Sequence, residues 1–587
     1  METACGFLFE SGVFQHPMNF ILCFRTRGAW ALHCLLLLLT VLPSFSQTEK
    51  KLVWKNNDGK EITASFVKLE DGKVHLRTPA GTLAEVPLTS LSWESGRQAI
   101  ALKWQLLGMA DLRLAVPDRA GVSESFVKLT RVPEAEAAPK GWFRYRCANF
   151  EFDSQTELDS KFVAQSGRLF EATRELLKRL PWRIEAIPEK GSRFRALIYR
   201  DMKSYLEGGG PPGSAGVFKP STGEFSLPLT SATDSPDTMQ HEITHQMMQR
   251  LLPVIPWWIA EGTAEYVAIM KYRDGYYDCK MVSKKQVVPE LQRRGPYCTD
   301  EAFLRALEYR SQTQAEMVLG SMLERTSQYQ THFRQSLEKE IAGLKAGFAK
   351  IEERRKLFEN MFALEAGKSI LLPPAETPPQ PPKLAKVKSS VRMEHAITAV
   401  TTPGGIDQRN LYAGSTLMVY YLTSLAPDQG EGFARYMWAA QQLRDEFDLS
   451  MKLLEMDMAA YRRKIEELKT EASSIQRTLM DKAKEYDAYF DAALKYSNTC
   501  GYTHQRPDGR VEFFHKPDAQ YKPPVPPESP VIKYPDLPSP PSPRLTAADV
   551  QKRQAALLRT LMNNSNPQDF LNDVKEAAAK LGVKCGR

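Results

Sequence analysis

Two histidines four residues apart, in His241-Glu242-Ile243-Thr244-His245, constrain this chain more than any other feature. Residues four apart on a helix share a face, so both imidazoles can close on one metal ion. Glu242, beside the first histidine, can hold a water against that ion. After a break from Pro253 to Pro256, a second helical pattern runs Trp257-Trp258-Ile259-Ala260-Glu261-Gly262-Thr263-Ala264-Glu265-Tyr266, and Glu261 can supply a third ligand. Two imidazoles and a carboxylate leave the fourth position of a tetrahedral zinc open to water, which is the arrangement of a hydrolase. The bare motif also fits a surface helix with two solvated histidines. Its surroundings favour the metal. Ser235-Pro236-Asp237 is a helix start, with an N-cap, a proline at the first position and an acid in the first turn. Met239, Ile243, Gln246, Met247 and Leu251 give the helix a side suited to a core. Glu265, one turn past Glu261, is placed to accept a hydrogen bond from a ligand histidine, His241; an exposed charge on the outer face is the other reading.

The combination resembles the gluzincin class of zinc metallopeptidases, most closely the secreted bacterial family known as a domain of unknown function, DUF1570, in the peptidase MA-like group. The Trp-x-x-Glu-Gly-x-Ala-x-Tyr form around Glu261 resembles the aminopeptidase-type members, although the step from His245 to Glu261 is shorter than theirs or that of thermolysin-like members. The resemblance implies Zn2+ held by His241, His245 and Glu261, Glu242 as general base, and hydrolysis of a peptide or protein substrate. It implies an α+β fold in which a mixed-sheet lobe and a helical lobe flank the HExxH helix. In that fold an edge strand just before the motif helix pairs with extended substrate. Residues 215–227, with Gly216, Val217, Phe218 and Phe225, fill that place, and an ordinary hairpin reads the same way. An oxyanion donor from the opposite lobe is also implied. Tyr412 takes that role at the start of the apolar stretch Leu411 to Leu422, although Gly414 comes one place early for the family's Tyr-x-x-Gly setting. A packing role for Tyr412 is the alternative. No Gly-x-Met-Glu-Asn-type stretch precedes His241 and Glu224 alone does not replace it, so an endopeptidase is favoured over an aminopeptidase.

At 587 residues with 42% hydrophobic content, the chain has material for several domains and a large core. A net charge of +8, from 78 basic and 70 acidic residues, is mild over that length, and no basic block accompanies a nucleic-acid motif. Nucleic acid is therefore not an expected partner. Residues 1–46 read as a signal peptide. Arg25 and Arg27 precede an apolar run over 29–45, Ser44-Phe45-Ser46 suits cleavage after Ser46, and Met18 is an alternative start. The run is short for a bilayer span, so no stable membrane span is expected unless the leader stays uncleaved. Secreted or periplasmic placement is the expectation. Cleavage leaves Cys147, Cys279, Cys298, Cys500 and Cys585, of which Cys279 and Cys298 form the close pair and the candidate disulfide.

Residues 47–95 hold short β runs separated by Asp58-Gly59, Asp71-Gly72 and Ala80-Gly81 turns, the pattern of a small SH3-like barrel. Trp54, Gly59, Phe66, Gly72-Lys73-Val74, Gly81 and Val86-Pro87-Leu88 resemble the SHD1 domain, which implies a protein or cell-surface partner. Trp54 and Phe66 either line a peptide groove or fill a tiny core. Residues 96–140 read as a linker. The peptidase-like domain spans 141–450, entered by a β-α-β run (strands near 143–152, a helix over 157–180, a strand at 195–199) and carrying an insertion around 270–400. A long helical arm over 451–498, a proline-rich linker over 499–545, extended or disordered, and a helical segment over 546–587 complete the chain. Two other functions fit the same residues: a secreted binding or scaffolding protein with a non-productive zinc site, and a zinc amidohydrolase acting on a non-peptide amide.

Overall fold

Alternating apolar residues punctuated by turn glycines fold the first described segment into a β meander. Strands β1 (Lys51–Lys55), β2 (Glu61–Glu70), β3 (Lys73–Arg77) and β4 (Leu83–Pro87) form a four-stranded sheet in sequence order. Asp71 and Gly72 turn the β2–β3 hairpin with φ of 50° and 71°, a conformation that glycine and short polar residues adopt most easily. Leu91 bridges back to Asn56, just past β1. Trp54 is 1% exposed and its indole N–H donates to the Ala64 carbonyl at 2.9 Å, so it is the centre of this module and not the wall of a groove. In this computed structural model residues 50–109, 118–123, 130–132, 141–186, 188, 193–219, 222–234, 236–252, 254–279, 284–308, 312–364, 368–373, 408–518 and 520–586 are described. The leader over 1–46, the Ser235 cap and most of the proline tract near 373–382 lie outside them. Contacts divide the chain into two units, Met1–Leu52 and Val53–Arg587, and the second holds the motif and every described helix.

Helix α1 (Trp93–Met109) is followed by two short strands, β5 (Arg119–Gly121) and β6 (Thr130–Val132), both inside the stretch that reads as a linker. β6 is an edge of the main sheet, so the fold of the site begins before residue 141. The chain continues through β7 (Phe143–Arg146), β8 (Phe150–Ser154), α2 (Ser160–Arg179), β9 (Phe194–Tyr199), α3 (Met202–Glu207), β10 (Val217–Lys219), β11 (Glu224–Pro228), α4 (Leu229–Asp234), α5 (Pro236–Met247), α6 (Trp257–Ile269), β12 (Tyr272–Arg273) and β13 (Tyr276–Asp278). The six-stranded sheet runs β10-β11-β9-β8-β7-β6, parallel where β9 meets β8 and β11 and antiparallel elsewhere. Phe150, Phe152 and Phe225 converge on Phe170 of α2. Phe225 is therefore fully buried on an interior strand and cannot meet a substrate; only β10 is the edge next to α5.

The helical part comprises α7 (Lys284–Arg294), α8 (Asp300–Glu308), α9 (Gln312–Phe362), strand β14 (Ser369–Leu371), α10 (Gln408–Tyr420) ending in a π turn, α11 (Glu431–Cys500), the hairpin β15 (Gly501–Gln505) and β16 (Val511–His515), α12 (Ala547–Leu561) and α13 (Pro567–Lys580). The arm expected over 451–498 is the continuation of α11, whose first turns already lie in the main core through Phe433, Met437 and Leu443. Leu337 and Ile341 of α9 pack on Tyr461 to Ala472 of α11, and Phe358 and Met361 on Tyr486 to Ala493, so the two long helices run parallel. The proline-rich stretch is neither loose nor a spacer. It returns along this pair: Ser529 donates to Glu352 at 2.9 Å, Tyr534 packs under Lys345, Arg544 pairs with Asp457, and Leu545 N–H donates to Ser450 at 2.9 Å. Val525 and Val531 face solvent.

The disulfide expected between Cys279 and Cys298 is not formed, and both thiols are free and buried. Cys279 ends β13, its backbone N–H bonded to Asp118, whereas Cys298 follows α7 and faces the C-terminal Cys585. Nearness in sequence does not bring their Cβ atoms together. Among the described residues no helix is long and apolar enough to cross a membrane.

Glu446 ties three helices into one body. Its carboxylate is 1% exposed and accepts from Arg97 of α1 at 3.0 Å, Arg553 of α12 at 2.6 Å and Gln442 at 3.0 Å. Burial alone would raise its pKa, but these partners hold it below the ordinary value of 4.5. A depressed folded pKa contributes stability above the unfolded value that is lost as pH falls through the folded one. Glu446→Gln is expected to cost about 2 kcal/mol at neutral pH, and the gap to wild type in urea melts should close as pH falls below about 5.

Candidate metal centre

Helix α5 has the periodicity to bury one side and present His241 and His245 on another, and the structure keeps that register. The two rings meet edge to face with centroids 4.6 Å apart. Gln246 anchors the helix: it falls on the side that packs, and its amide donates to the Arg195 carbonyl of β9 at 2.6 Å and to the Gly223 carbonyl of the β10–β11 turn at 2.8 Å. A turn closed by the Ile255 N–H on the Leu251 carbonyl, at 2.9 Å, reverses the chain. Helix α6 then starts after Pro256 and returns Glu261 to the histidines.

Three ligand atoms converge. His241 Nε2 and His245 Nε2 are 2.9 Å apart, His245 Nε2 and Glu261 Oε2 3.2 Å, and His241 Nε2 and Glu261 Oε2 3.4 Å. Atoms bound at ~2.0–2.1 Å to one tetrahedral zinc stand about 3.3 Å from each other, so the triangle fits a zinc ion with little adjustment. The orientation fits as well. His241 Nδ1 faces Glu265 Oε1 at 3.3 Å, which leaves Nε2 as the atom for the shared point. Glu265 is thus turned inward beside a ligand, and its other oxygen pairs with Arg294 at 2.6 Å. Among the described residues this is the one cluster of histidines, cysteines and carboxylates close enough to hold a metal.

The charges in the site respond to burial and to each other. Burial opposes ionisation of Glu261, yet the imidazoles of His245 and His241 hold its pKa at about 2. Glu265 is likewise resisted by burial and held at about 2 by His241 and Arg294. Glu242 is pushed up, by burial first, against the pull of His241 and His245. Its carboxylate accepts from the Phe218 backbone N–H. Gly216 lies against it: a Cβ there would stand 3.1 Å from Glu242 Cγ and 3.3 Å from Thr238 Cγ2. Val217 and Phe218 form edge strand β10, and the Phe218 ring stacks on His245 with centroids 6.5 Å apart. Gly216, Val217 and Phe218 are therefore at the site, and Phe225 is not.

Tyr412 reaches the site from the far side of α6. Its ring lies 6.1 Å from His241 and 5.8 Å from Trp257. The negative charge of Glu261, then burial, keeps its phenol protonated well above the ordinary range. What carries α10 so close is Gly262. A Cβ there would overlap the Ser415 carbonyl oxygen and the Val419 side chain. Gly262 and Gln246 carry a local sign in the sequence, a glycine inside a helix and an amide on a packed side. Arg294 and Thr416 carry none, because they arrive from outside the motif. Comparison with protein-family models, with curated proteins and with solved structures returns no match.

Adding one methyl group tests the crossing. Gly262→Ala must part α6 from α10 and is expected to destabilise the protein by about 1–3 kcal/mol. Zinc affinity, read by chelator competition, should fall with it as Glu261 moves.

Proposed function

We propose that this chain is a zinc-dependent peptidase of the gluzincin type that cleaves within peptide chains outside the cytoplasm. The observation that carries the reading is the convergence of three ligand atoms, two of them on buried residues, next to a buried glutamate held by an edge strand. His241, His245 and Glu261 would hold the ion. When bound, zinc supplies a Lewis acid that acidifies water and polarises a carbonyl. Glu242, raised by burial and steadied by the Phe218 N–H, takes the proton of the attacking water and passes it to the leaving amine. Edge strand β10 offers backbone groups along which an extended peptide can lie. Tyr412, kept protonated by its acidic neighbours, donates to the oxygen on which negative charge develops. Glu224 is paired with Arg195 at 2.6 Å and so is poorly placed to capture a substrate N-terminus, which favours cleavage inside a chain.

Elemental analysis and a peptide-cleavage assay test this together. Wild type should carry about one zinc per chain, His245→Ala should lose the metal, and Glu242→Gln should keep it while kcat drops by at least about 10²-fold. A wild type that cannot be reconstituted with zinc refutes the reading.

Tyr412→Phe preserves the ring and its packing on Trp257 and His241. Zinc content and Tm should hold while kcat falls by roughly 10²-fold. Wild-type turnover in this variant would return Tyr412 to a packing role.

A further inference from the structure

We propose that Arg294 is a positioning residue that fixes the imidazole of His241 through Glu265 and braces the helix of Tyr412 through Thr416. It lies in the stretch that reads as an insertion, at the last turn of α7, and is not part of the zinc motif. Its guanidinium meets three helices at once. It pairs with Glu265 of α6 at 2.6 Å and with Glu290 of α7 at 2.6 Å, and it donates to the Thr416 hydroxyl of α10 at 3.1 Å. The Thr416 hydroxyl in turn donates to the Tyr412 carbonyl at 2.7 Å. Donors and acceptors alternate without conflict along two branches, one from Arg294 through Glu265 to His241 and one through Thr416 to Tyr412.

Burial makes these pairs matter. The side chains of Arg294 and Glu265 are 19% and 14% exposed, so their attraction is screened far less than that of a surface pair. A glutamate held by a histidine alone retains freedom about its side-chain torsions. Arg294 removes that freedom by holding the second oxygen with one guanidinium nitrogen while another is held by Glu290, a pair of directions that the rigid plane of arginine fixes. With Glu265 fixed, His241 keeps its proton on Nδ1 and its Nε2 lone pair toward Glu261 and His245. The end of α7 is itself held, since the Gly586 N–H donates to the Gly295 carbonyl at 3.1 Å. Arg294 is thus presented to the site by elements that the zinc motif does not contain.

This inference rests on the zinc reading, and its test separates the two. Full-length wild type, Arg294→Gln, Arg294→Lys, Glu265→Gln and the double variant Arg294→Gln/Glu265→Gln are compared by chelator competition for zinc. Histidine ring ¹⁵N shifts are recorded in parallel on metal-free protein, at a pH high enough to leave the rings neutral. Each glutamine variant should weaken zinc binding by roughly 10-fold or more. The double variant should be no weaker than the weaker single, because both substitutions break one chain of contacts. Arg294→Lys should recover part of the loss, since an ammonium restores the charge but not the fork. In metal-free protein, where Glu261 faces Nε2 at 3.4 Å and Glu265 faces Nδ1 at 3.3 Å, the share of the His241 Nδ1-H form should be lower in Arg294→Gln than in wild type. Wild-type zinc affinity and an unchanged His241 tautomer in Arg294→Gln would overturn the role, as would losses that simply add in the double variant. If wild type binds no zinc, the peptidase reading fails, and the imidazole shifts still decide whether Arg294 sets the state of His241.

Discussion

Gly262 lets α6 and α10 meet backbone to side chain and backbone to backbone, and the geometry of the site depends on that crossing. Packed helices usually keep their axes about 8–10 Å apart, and a side chain at residue 262 would enforce such a gap. Without one, the residue next to ligand Glu261 touches Ser415, less than a full turn from Tyr412. The Tyr412 ring is thereby carried to within 6.1 Å of the His241 ring, centroid to centroid. The same approach brings Thr416 within reach of Arg294, so one missing Cβ serves two groups around the metal position.

Concentrating carboxylates in a buried place is unfavourable unless each has a partner. Here the partners differ. Glu261 faces two imidazoles and Glu265 faces an imidazole and a guanidinium, and both are held strongly acidic. Glu242 has a backbone N–H and a glycine wall, and burial leaves it more basic than an ordinary carboxylate. A ligand must stay ionised, whereas a base must be willing to take a proton. These surroundings suit the ligand role proposed for Glu261 and the base role proposed for Glu242.

Around the site, α11 acts as the common frame. Asp445 on it receives Trp104 of α1 at 2.9 Å and Arg250, just beyond the motif helix, at 3.0 Å, while Glu446 on the next position holds Arg97 and Arg553. Helix α1, the turn after α5 and helix α12 are all referred to two adjacent carboxylates. Farther along, the same helix pairs with α9 and is strapped by the returning proline-rich chain. Prolines offer no N–H to satisfy and hold an extended form, which suits a segment lying in a groove between helices.

What the sequence determined by itself was local. The i,i+4 steps of His241 to His245 and Glu261 to Glu265 follow from the 3.6-residue period, and in the structure each pair shares a helix face; of the two readings open for Glu265, the structure shows the inward one. The short β runs with glycine turns were legible for the same reason. Strand order was not: Phe225 and Phe218 alternate alike along the chain, and only the pairing of β11 with β9 shows one as core and the other as edge. The spacing of Cys279 and Cys298 carried no information about the path between them. Distance along the chain said still less about Arg294, which reaches Glu265 from the far end of α7, beyond the β12–β13 hairpin. Contacts of that kind are decided by how finished elements pack and where a Cβ is absent, and packing is a property of the whole core rather than of any stretch of residues.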